Sequence, residues 1–203
     1  MRNLIIFLLC LSLAPASAQT VPKFNGPEWK PPYNLPLEGW GIERFLIPID
    51  FAPQINYEGV EDLRFTAGWG DLKSKDYWSY AYLWYLNGMP AINADSIATN
   101  LNHYYDGLIA RNIKKRNIPA NMVTPTKTTL EEIHISPGDL KTFKGKIAML
   151  DYMGKRPIIL NCMVHLRRYK DENKTILFHQ ISPQPFNAPI WQKFKQLWGS
   201  FKY

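Results

Sequence analysis

The chain has 203 residues, with 24 lysines and arginines against 17 aspartates and glutamates, a formal charge of +7, and 2 cysteines. That length supports one domain with a proper core. So few cysteines exclude a disulfide-stapled scaffold, C-x-x-C redox chemistry and thiolate zinc sites. The basic residues are dispersed, which fits a solvated surface and argues against a nucleic-acid footprint.

Residues 1–18 read as a cleavable signal peptide. Arg2 supplies the positive start, Leu4 to Leu13 the apolar stretch, and Ala16-Ser17-Ala18 the small-residue cleavage site. The apolar stretch is too short to span a bilayer and no later one reaches about 20 residues, so no transmembrane segment is expected. The expected mature protein begins near Gln19 and is periplasmic or extracellular. Removing Arg2 leaves 23 basic against 17 acidic residues. Cys10 leaves with the leader, and Cys162, within Ile158 to Val164, reads as a buried, inert thiol.

Residues 19–41 are rich in Pro, yet Trp29, Tyr33 and Trp40 are interleaved with the prolines. They read as an extended arm pinned to the body by its aromatics, because a free linker carries few large apolar groups. Residues 42–203 then read as a single α+β domain. Its first strand covers 42–49, and Pro48 restricts that strand to an edge or an end. A short strand follows at 60–66, and Gly68-Trp69-Gly70-Asp71 is turn-like.

Residues 77–86, Tyr-Trp-Ser-Tyr-Ala-Tyr-Leu-Trp-Tyr-Leu, carry no charge. They read as a central strand, with Trp78, Tyr80, Tyr82, Trp84 and Leu86 on one face. Asn87-Gly88 and Pro90 close it with a turn. The simplest account of these rings is core; the functional one is a stacking platform for a sugar ring or another planar ligand.

Asn93 or Asp95 can cap a helix in which Ile97, Leu101, Tyr104, Tyr105 and Leu108 recur at helical spacing. It is expected to end near Arg111-Asn112, with Lys114-Lys115-Arg116 in a following loop. Four β-like runs come next, at 126–135, 140–152, 157–169 and 175–182, and the short polar breaks between them force an antiparallel meander. Pro189 opens a C-terminal helix with an apolar stripe of Trp191, Phe194, Leu197, Trp198 and Phe201. The expected fold is therefore α+β: a mostly antiparallel sheet of about seven strands, βββ-α-ββββ-α, covered by two helices.

Chemistry is harder to place. There is no glycine-rich phosphate loop, G-x-S-x-G elbow or H-E-x-x-H pair, and no cofactor motif. Gly68-Trp69-Gly70 lacks the later glycine and the helix of a dinucleotide loop. His134, His165 and His179 fall on three runs of the meander and are the candidate metal ligands, at long and irregular spacing. No carboxylates have the spacing of a glycosidase pair. The leading expectation is a secreted or periplasmic, non-enzymatic binding module with an aromatic-lined face, whose partner is a small ligand or a protein. Its candidate binding residues are Trp29, Tyr33, Trp40, Trp84 and Tyr85. The alternative is a small secreted hydrolase whose catalytic residues only the fold assembles.

Overall fold

The computed structural model describes residues 24–203. The expected signal peptide and the first residues of the arm lie outside them. Among the described residues, seven strands and two α-helices form in the expected order. The first three strands are β1 (Gly41–Ile47), β2 (Gly59–Phe65) and β3 (Tyr80–Asn87), and helix α1 (Ala94–Arg116) follows. Then come β4 (Lys127–Ile133), β5 (Lys141–Asp151), β6 (Arg156–Tyr169), β7 (Lys174–Ser182) and helix α2 (Pro189–Gly199). All seven strands join one antiparallel sheet in the order β1-β2-β3-β7-β6-β5-β4. The second half is the expected meander. Its last strand β7 docks against β3, with Tyr80 opposite Ile181 and Tyr82 opposite His179.

β3 therefore lies inside the sheet, and helices cover both of its faces. Tyr82, Trp84 and Leu86 enter one core cluster with Leu101, Tyr104 and Tyr105 of α1. Ala81, Leu83 and Tyr85 enter the other with Phe194, Leu197 and Trp198 of α2. Burial on both faces explains why the run has no charge: a charged side chain on either would be desolvated without a partner.

Three details differ from the sequence expectation. β3 starts at Tyr80, and Tyr77 and Trp78 belong to the preceding turn. Trp78 adopts φ 53°, and its backbone N–H donates to the Trp69 carbonyl at 2.8 Å. β1 stops at Ile47, before Pro48. Helix α1 runs on to Arg116, so Lys114-Lys115-Arg116 is its last turn rather than a loop. Ile109 and Ile113 continue the apolar stripe by one turn, and cations suit the negative end of the helix dipole. Asn117 then closes the helix in the left-handed conformation, φ 50°.

Local chemistry accounts for the helix starts. Asn93 and Ser96 form a reciprocal capping box at the head of α1. Gly107 lets α1 touch the loop after β1, since an added Cβ there would collide with the Phe51 carbonyl. In α2, Pro189 opens the first turn, and Ile190, Trp191, Phe194, Leu197 and Trp198 are all buried. Each such side chain contributes about 1.5–3 kcal/mol on burial, so the stripe, not capping, docks the helix. Tyr33 and Leu35 are buried on this same side, and Asn34 forms a bridge with Lys202.

Candidate functional site

On the α1 side, β1 to β3 and the helix enclose a cleft of about 320 Å³. The strand alternation builds one wall. Phe65 of β2 stands opposite Tyr80 of β3, and their rings stack at 5.7 Å. The connection between these strands folds back to lay Trp69 on Phe65 at 4.6 Å. The facing wall comes from Tyr104 and Leu108 of α1, and Phe51 packs edge-on against Tyr104 at 5.1 Å. Trp78, Tyr80 and Tyr104 are buried, whereas Phe65, Trp69, Phe45 and Phe51 remain partly exposed at the mouth. Amphipathic Trp suits such a boundary.

The mouth is polar: Glu43, Arg111, Asn112 and Lys115 border it. Arg111 donates to Asp50 at 3.3 Å and lies 5.1 Å over the Phe51 ring. Lys115 makes no ion pair among the described residues. Among the described residues Glu43 is the one carboxylate lining the cleft, so no carboxylate pair of theirs faces a common substrate position there.

Behind this wall lies a layer of buried groups that burial keeps neutral. The Tyr104 hydroxyl donates to Glu61 Oε1 at 2.9 Å. Burial pushes the Glu61 carboxyl up to about 8, and the Tyr104 bond offsets only part of that rise. His179 stacks on Tyr82 at 4.2 Å, and burial holds it down at about 3. Burial also pushes the Cys162 thiol up to about 12, as befits an inert core thiol.

The five candidate binding residues separate. Trp29, Tyr33 and Tyr85 converge, with ring centroids 5.5 to 6.4 Å apart. Trp29 and Tyr85 border an open hollow of about 410 Å³ beside Leu46, Glu58 and Asn87. Trp40 instead packs against Phe194 of α2 at 5.9 Å. Trp84 lies on the opposite face of the sheet, fully buried against Tyr57, Tyr82, Tyr104 and His179.

The three histidines separate as well. His134 is exposed just beyond β4. His165 and His179 sit on adjacent strands one register position apart, since His165 faces Phe178 and Val164 faces His179. They therefore point to opposite sides of the sheet. Among the described residues no group of three His, Cys, Asp or Glu side chains could hold a metal ion. His165 Nδ1 instead lies 2.6 Å from Asp139 Oδ2.

The cleft residues Phe65, Trp69, Phe45 and Phe51 were not among the sequence candidates. Trp69 lies in a stretch whose local pattern signals only a turn, and its glycine neighbours draw attention away from the ring. Comparison with known proteins adds no likeness: no family model matches the chain, nor does any curated protein or solved structure.

Proposed function

We propose that the protein is an exported, non-enzymatic binding module that holds a sugar or another planar ring in the cleft between α1 and β1–β3. The observation that carries this reading is Trp69: partly exposed, laid on Phe65, and facing a mouth of Arg111, Asn112, Lys115 and Glu43. An aromatic face takes a ring's apolar side, and the polar mouth takes the hydrogen bonds at its edge. The volume of about 320 Å³ lies within the roughly 300–1,000 Å³ usual for small-molecule sites.

The hydrolase alternative would draw on His165 and Asp139, a hydrogen-bonded histidine–acid pair in a different cleft. Among the described residues no Ser, Thr or Cys side chain is hydrogen-bonded to the second ring nitrogen of His165, so the pair has no side-chain nucleophile there to activate. Binding is therefore the better-supported reading.

A thermal-shift screen against mono- and oligosaccharides and planar aromatic compounds tests it. A ligand that raises Tm should lose about tenfold in affinity with Trp69→Ala, the scale of one lost ring contact, and keep it with Trp29→Phe. Protection insensitive to Trp69→Ala but lost with Trp29→Phe would move the site to the Trp29–Tyr85 hollow. Export rests on the charged start, apolar stretch and Ala16-Ser17-Ala18 of residues 1–18. Mass spectrometry of protein from outside the cytoplasm should find cleavage after Ala18, and a mature species retaining Met1 would sink that part.

A further inference from the structure

The α2 side carries a second cleft, independent of the first. Helix α2 packs over β3 and β7, and between it and strands β5 and β6 lies a space of about 470 Å³. Trp191 and Trp198 of α2, Met163 of β6 and Phe186 give it apolar walls. Its charged side chains are Lys144, Arg167 and Lys195.

Their pairing decides what the cleft attracts. Lys144 Nζ sits 4.3 Å from the Phe186 ring centroid, and Lys195 is exposed on α2. Neither makes an ion pair among the described residues, although Glu131 stands opposite Lys144 in the β4–β5 register. The Arg167 guanidinium lies 3.9 Å over the Trp198 ring, and its Nε donates to Asp139 at 3.1 Å. Asp139 is thus already engaged. It also accepts from Thr142 at 2.8 Å and from Trp198 Nε1 at 2.9 Å. Two lysines are left without a counter-ion.

His165 points to a ligand by a separate route. It lines the cleft and is only 4% exposed. One ring nitrogen is held by Asp139; the other, Nε2, is buried and has no hydrogen-bond partner among the described residues. Burial alone would raise the Asp139 carboxyl, but the hydrogen bonds from His165, Thr142 and Trp198 hold it below the usual range. Asp139 therefore stays an acceptor, and it fixes Nδ1 as the nitrogen that carries the proton. Buried polar nitrogens are normally paired, so the free Nε2 marks a place for a polar group that the protein itself does not supply.

From these observations we infer that the α2 cleft binds an amphipathic anion of the alkyl carboxylate class. Its apolar chain lies along Trp191, Trp198 and Met163, its carboxylate meets Lys144 and Lys195, and a water that donates both to the carboxylate and to His165 Nε2 links the two acceptors. The unpaired lysines favour an anion over a cation with the same chain, and the tryptophan walls favour a chain over a bare inorganic ion.

Isothermal titration with dodecanoate and with dodecyltrimethylammonium, which share a chain and differ in charge, tests the inference on wild-type protein. Dodecanoate should bind about tenfold or more tightly than the ammonium, and bromododecanoate should quench tryptophan fluorescence. The double substitution Lys144→Gln, Lys195→Gln changes partly or fully exposed side chains and should remove the preference. Trp69→Ala, in the other cleft, should leave it intact. Failure to bind dodecanoate, equal binding of the two chains, or a preference unchanged in the double variant would each overturn the proposal. Loss of the preference with Trp69→Ala alone would overturn it too, by assigning the anion to the α1 cleft.

Discussion

Two pairs of buried groups, Glu61 and His179 on the α1 face and Asp62 and Asp139 on the α2 face, are handled in opposite ways. On the α1 face Glu61 and His179 are kept neutral: Glu61 is pushed up to about 8, and His179 is held down at about 3, both chiefly by burial. On the α2 face Asp62 and Asp139 sit in ion pairs. Asp62 accepts from Arg44 Nε at 3.0 Å, from Tyr33 at 3.0 Å and from both terminal nitrogens of Arg64. Asp139 gathers His165, Arg167, Thr142 and Trp198. The same alternation that sends Glu61 to one side and Asp62 to the other thus gives Glu61 a neutral aromatic surrounding and Asp62 an ionic one. The contrast teaches that desolvation can be met by giving up the charge or by surrounding it with donors. It also matches the ligands proposed for each side, a neutral ring and an anion.

The largest effect that would break this contrast lies at Asp62. Asp62→Ala leaves Arg44 and Arg64 without their shared acceptor, and Arg64 is buried. Urea unfolding should show a loss of about 3–5 kcal/mol. A loss below about 1 kcal/mol would mean that water replaces the carboxylate and that the face is not dry.

A smaller effect sharpens the other side. An unfolded Glu61 loses its proton near its ordinary 4.5, while the folded protein keeps it to about 8, so stability falls as pH rises through that window. An unfolded His179 gains a proton below its ordinary 6.5, while the folded one resists to about 3, so stability falls as pH drops through that window. Between 4.5 and 6.5 the two slopes oppose each other, and stability should be nearly level. From 6.5 to 8 Glu61 acts alone, and the loss should be about 2 kcal/mol. Glu61→Gln should flatten that limb in urea titrations. An unchanged alkaline slope in the variant would place its source elsewhere.

Much of the fold was legible because it is written in local patterns. Turn chemistry such as Ser136-Pro137-Gly138-Asp139 and Asn87-Gly88 punctuates the strands. The stripe from Ile97 to Leu108 marks α1, and Pro189 marks the head of α2. The sheet order was not legible, because the pairing of β3 with β7 depends on contacts far apart in sequence. The sites were hidden for the same reason. Asp139 looks like an ordinary turn residue until the fold brings His165, Arg167 and Trp198 to it. Trp69 looks like part of a turn until β2 and β3 place Phe65 and Tyr80 beside it. Trp84, prominent in the aromatic run, is covered because an interior strand has no free face once both helices dock.

The β3–β7 seam has a kinetic consequence. β1 to β3 form one set of near-neighbour pairings and β4 to β7 another, so each can assemble from adjacent segments. Joining them requires closing the long chain loop from Tyr80 to Ile181, whose entropy is lost before the seam's hydrogen bonds are gained. Until then the aromatic β3 has an unpaired edge, the kind of surface on which chains associate. Refolding should therefore be most vulnerable to aggregation before β7 docks, and a chain lacking β7 would keep its stickiest strand open.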